Sequence, residues 1–142
     1  MAIRAYEPRS LALVQLETAL CLYFDGNDYA SVITLAGAAD VMFGKLLASV
    51  GRESSLEALK RAVTAIQMQI YGESLTPSDI ADRANLARNV LKHWSASSPD
   101  FLKLDLFQEA CDMLNRAIDN YWLLEQTLTP SMEKFQREIM AA

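Results

Sequence analysis

One histidine, two cysteines, four prolines and five glycines are all that 142 residues hold of the types that most often carry ligands, cross-links or turns. Two cysteines cannot build a disulfide framework. Cys21 and Cys111 each sit in an apolar helical pattern, with no second cysteine or histidine at metal-ligand spacing, so both read as reduced core thiols and no metal or cofactor is expected. Basic residues are outnumbered 13 to 18, and the net charge of −5 excludes broad electrostatic attraction to nucleic acid. Any RNA contact has to be local. No eighteen apolar residues occur in succession, and Met1 to Leu22 is broken by Arg4, Glu7, Arg9 and Glu17. The expectation is a soluble, cytoplasmic protein with no membrane contact. No segment alternates with period two between turns, and there is no internal repeat, Gly-rich phosphate loop or low-complexity tract.

What the chain does have is apolar content, about half of its residues, enough for a single globular domain over 1–142. Leu13, Leu16, Leu20 and Phe24 repeat at helical spacing after Pro8 and stop at Asp25-Gly26-Asn27-Asp28, a turn followed by a helix cap rather than a cation loop. A second helix, from about Tyr29 to Val50, carries Gly37, Gly44 and Ala48, small residues that let a neighbouring backbone come close. Leu56, Leu59, Val63, Ile66 and Ile70 mark a third, capped by Ser54 or Ser55 and stopped by Gly72. Thr76-Pro77-Ser78-Asp79 starts a fourth, running to just beyond Trp94, where Ser95-Ala96-Ser97-Ser98-Pro99 ends it. A fifth spans about Leu104 to Gln126, and Thr129-Pro130 opens a short sixth. The class is all-α, a bundle of four main helices with one or two short ones. Met68, Met113, Tyr121 and Trp122 read as packing residues, Trp94 as a core cap or interface anchor, and Asp112, Asp119 and Glu125 as a solvated face.

The fourth helix carries the chemistry. Arg88-Asn89-Val90-Leu91-Lys92-His93 places a permanent cation, an amide and the only imidazole within six residues. The imidazole moves a proton near neutral pH, the guanidinium neutralises developing phosphoryl charge, and the amide orients either group. Asn89 and His93, four apart, share a face, whereas Arg88 lies about 140° round an ideal helix from His93 and has to reach across. A second copy related by a twofold axis relieves that constraint by presenting its own arginine and histidine. The expected site residues are Arg88, Asn89 and His93, with Arg83 and Lys92 adding phosphate contacts that Asp79 and Asp82 partly cancel. Without that chemistry, Arg88 is a solvated helix residue, Asn89 a tolerated surface amide, and His93 a cation favoured by the helix carboxyl end.

The spacing Arg88-Asn89-x3-His93 resembles that of the HEPN family, whose ribonuclease members carry it late in a small helical bundle. Asp28 to Asp40 is also similar to the second helix of a bacterial HEPN-like subgroup, in which an acidic pair commonly follows small residues. Here Asp40 is followed by Val41. The resemblance spans roughly Leu11 to Glu125, strongest in those two segments. It implies a HEPN-like bundle and a homodimer with two facing motifs. It implies metal-independent cleavage of RNA in a toxin-antitoxin or antiphage defence setting, with an antitoxin or a nucleotidyltransferase as partner. The competing expectation is a catalytically inactive helical dimer that serves as a protein-binding module.

Overall fold

In the computed structural model, which describes residues 1–72 and 75–142, all regular structure is helical, with no strand among the described residues. Short polar residues set most of the helix starts. Helix α1 (Pro8–Cys21) opens on a proline and runs into a π-type turn, Leu22–Gly26, closed by Asn27 with φ 50°. The Asp28 carboxylate accepts the Ser31 amide at 3.2 Å and so caps α2 (Tyr29–Ser49). Ser54 does the same for α3 (Ser55–Tyr71), which ends at Gly72 with φ 64°. In α4 (Pro77–Ala84) the Thr76 hydroxyl accepts the Asp79 amide at 3.1 Å while the Asp79 carboxylate accepts the Thr76 amide at 3.2 Å. The remaining helices are α5 (Leu86–Lys92), α6 (Leu106–Glu125, capped by Asp105) and α7 (Pro130–Ala141, capped by Thr129).

Helix α2 is the central element, packed chiefly on α6 and α1, with α7 against α1 and α5 along the other side of α2. Leu16, Leu20, Val32, Ile33, Phe43, Leu114, Ile118, Met132 and Phe135 are almost completely removed from solvent. Each such side chain contributes about 1.5–3 kcal/mol of transfer free energy, so these four helices hold the domain. Helix α2 is long and apolar enough to cross a membrane by composition alone, yet one side of it, with Val32, Ile33, Ala36, Ala39 and Phe43, lies in the middle of this core.

The helical class agrees with the sequence reading, but the count does not. Among the described residues seven α-helices replace the four main and one or two short ones, because the expected fourth helix breaks at Asn85 and α7, expected as a minor piece, buries Met132 and Phe135. The apolar stripe of α3 is largely uncovered: Leu59, Ile66 and Ile70 are 40%, 53% and 65% exposed, since α3 packs chiefly on α4 and α6 by other positions. Met68 is exposed as well, and Trp122 is half-exposed, so neither is the packing residue expected, whereas Met113 and Tyr121 are buried.

Cys21 corrects the expectation of two core thiols. It faces solvent at the end of α1, while Cys111 is buried with its thiol 3.8 Å from the Tyr23 hydroxyl, and burial pushes its pKa up. Titration with an aromatic disulfide reagent should therefore give one fast-reacting thiol in the native protein and two after denaturation, with the fast phase absent from Cys21→Ser. Two equally fast thiols in the folded chain would contradict the buried position of Cys111.

Candidate phosphate cleft between the second and fifth helices

Asn85 sets the direction of α5. Its backbone (φ −106°, ψ 6°) departs from helix, yet its N–H still donates to Ala81 O and its carbonyl accepts from Asn89, both at 2.9 Å. Its side-chain Oδ1 accepts from Arg116 Nη2 of α6 at 2.5 Å, while Arg116 Nη1 donates to Ala84 O at 3.3 Å. Arg116 thus grips the joint between α4 and α5, and α5 lies along α2 with Ala87 buried. Helix α5 stops at His93 (φ −128°, ψ 63°), whose N–H donates to Asn89 O at 2.8 Å. The Ser95 amide, bound to the Ser98 hydroxyl at 3.0 Å, then turns the chain away.

Between α5 and α2 opens a cleft of about 530 Å³. One wall is Thr34, Gly37, Ala38 and Val41 of α2, a single helical stripe without charge; the other is Arg88, Asn89, Lys92 and His93. Arg88 and His93 both line it despite their angular separation on an ideal helix, since His93 lies past the helix end and its dihedrals are no longer helical. The Arg88 stem crosses the face of Gly37. A β-carbon at Gly37 would stand 2.6 Å from Arg88 Cδ and 2.9 Å from Cγ, so the small-residue side of α2 accommodates an arginine side chain rather than a neighbouring backbone.

Behind Arg88 sits a buried polar network. The Asp40 carboxylate accepts from Arg116 Nη2 at 2.7 Å and from Asn120 Nδ2 at 2.9 Å, and Asn120 Oδ1 accepts the Ser55 amide at 2.8 Å. Arg88 Nη1 is farther away, 4.0 Å from the same carboxylate, with its side chain 18% exposed against 5% for Asp40 and 9% for Arg116. Among the described residues the Arg88 guanidinium has no hydrogen-bond partner. Burial and the nearby Arg116 lower its pKa, with Asp40 opposing, and an arginine so perturbed remains a cation. Two arginines around one carboxylate leave one unbalanced positive charge, and Arg88, the less tightly held of the two, lines the cleft.

Comparison with family models, curated proteins and solved structures found no match for this chain.

The chemistry of the cleft is therefore read from its own side chains. Arg88, Asn89, Lys92 and His93, singled out in the sequence, are brought together. Arg83 is not: it projects from α4 to the opposite side, 3.6 Å from Glu109, into a separate cavity of about 440 Å³ that also holds Asp112 and Asp119. Trp94 is 73% exposed and covers no core. No group of three or more histidine, cysteine or acidic side chains placed to share a metal ion occurs among the described residues. Sequence reasoning missed Asn85, Arg116 and Asn120. Their signal was present, since Arg116 and Asn120 are polar residues spaced four apart on the otherwise apolar side of an amphipathic helix, which calls for a buried acidic partner.

Proposed function

We propose that the chain is a metal-independent endoribonuclease of HEPN type, working in the cytoplasm as a homodimer in a toxin or antiphage defence system. The observation that carries this reading is the cleft itself, in which an arginine with unfilled donors, a lysine, an amide and the sole histidine face one uncharged helix wall. A phosphodiester fits that set. The 2′-hydroxyl oxygen attacks the adjacent phosphorus and gives its proton to His93, the bond to the 5′ oxygen breaks, and that oxygen is protonated by an imidazolium, either His93 after proton exchange or the same histidine of a second copy. Arg88 balances the charge that builds on the non-bridging oxygens, Lys92 adds a phosphate contact, and Asn89 orients the reacting groups. The products are a 2′,3′-cyclic phosphate and a 5′-hydroxyl. The partners expected on this reading are RNA, a second copy of the chain, and an antitoxin or nucleotidyltransferase.

The test is incubation of a mixed single-stranded RNA pool with purified protein in chelator, beside His93→Ala. Wild type should leave cyclic-phosphate ends, and His93→Ala should be slower by about 10²–10⁴-fold, the usual contribution of a positioned proton-transfer group. Equal rates for the two preparations would remove His93 from the chemistry. A second reading, the catalytically inactive protein-binding module, is favoured by the uncovered Leu59, Ile66 and Ile70 of α3. A folded wild type that leaves RNA intact supports that module instead.

A further inference from the structure

We infer that Arg116, which does not line the cleft, is a positioning residue for it: by holding Asp40, it keeps Arg88 free to bind an oxyanion. The inference rests on the reading of the cleft as a phosphodiester site and adds what sets its affinity. Asp40 carries one negative charge and has two arginines within reach, and the distances decide between them. Arg116 is at 2.7 Å and hydrogen-bonded, Arg88 at 4.0 Å and not. Arg116 is also fixed from the far side by Asn85 and by Ala84 O, and Asn120 holds the second carboxylate oxygen, so the carboxylate is anchored away from Arg88. The α2 wall of the cleft contributes no charge, and among the described residues Lys92 and His93 are the other charged or titratable groups that line it with Arg88. Without Arg116, the sole strong partner left for Asp40 is Arg88, and a guanidinium paired with a buried carboxylate has lost the donors that a phosphate would use.

The test is a double-mutant cycle read on the ligand, with inorganic phosphate at pH 7 as the probe and the ring resonances of His93, the only histidine, as the reporter. Arg116→Gln should weaken phosphate binding about tenfold, the scale of one charge-assisted contact. Asp40→Asn alone should stay within about threefold of wild type, because Arg88 makes no hydrogen bond to that carboxylate that its loss would release. The double variant should return to within about threefold of wild type. If charge acted only through its sum, Asp40→Asn would instead tighten binding in both backgrounds by the same factor, and that additive result overturns the role of Arg116. Circular dichroism checks that each variant is folded. Should Arg116→Gln not fold, Arg116→Lys, which keeps the charge but loses the fork held by Asp40, Asn85 and Ala84 O, replaces it in the cycle: weaker binding that Asp40→Asn restores supports the inference, and binding unchanged from wild type overturns it. A wild type whose His93 resonances do not respond to phosphate overturns the anion site as well, which separates that failure from failure of the positioning role.

Discussion

Gly37→Ala should give a folded protein that no longer processes RNA, with a loss of about 10²–10³-fold, the cost of removing one preorganised charge-stabilising group. The reasoning is steric. A methyl group at this position meets the middle of the Arg88 stem at 2.6 and 2.9 Å, well inside contact distance, so the stem has to shift off Gly37. Arg88 has to leave the cleft floor. The backbone of α2 has no reason to object, since Gly37 is helical and alanine is the better helix former by about 1 kcal/mol. Activity and stability therefore part company in this variant. Cleavage in chelator should fall to the level of Arg88→Ala, while the thermal midpoint stays within a few degrees or rises. Full activity in Gly37→Ala would mean that the position of the Arg88 stem does not matter to the reaction.

Asp40→Ala has the opposite profile, a large loss of stability. It strips a buried guanidinium of its anionic partner and deprives Asn120 of an acceptor in a region that water does not reach. Removing one member of a buried pair typically costs about 3–5 kcal/mol, a large part of the roughly 5–15 kcal/mol that holds a domain together. Urea denaturation should show the midpoint fall accordingly, and Asp40→Ala/Arg116→Leu should recover much of the loss, because the uncompensated charge is gone. A single variant less than about 1 kcal/mol down would show that the network is not closed to solvent.

Helix starts were legible because they are local. Asp28, Ser54, Thr76 and Thr129 each cap within three residues of themselves, and Gly72 ends α3 by its own conformation. The break at Asn85 was hidden for the converse reason. Asn85 itself keeps both of its helical backbone bonds, to Ala81 and from Asn89, and the partner that takes its side chain is Arg116, 31 residues away. Periodicity in α3 announced an apolar face, yet no pattern within a helix says what will cover it, and Leu59, Ile66 and Ile70 are left outside. At the cleft, the run from Arg88 to His93 was readable as a cluster. That its members converge depends on where the helix stops, and Arg83, nearby in sequence, faces Glu109 across a different cavity. Periodicity likewise placed Cys21 among apolar neighbours, although it sits at the rim of α1 where the chain turns.

The order in which the core is assembled follows from the position of α2. Its main partner α6 ends 76 residues after α2 does, so at about 5–20 residues per second the ribosome delivers that partner roughly 4–15 seconds later. Through that interval only α1 is at hand to shield a 21-residue apolar helix. The nascent chain is thus most vulnerable to aggregation, and most in need of a chaperone, during the synthesis of α3, α4 and α5, the very stretch that ends in His93.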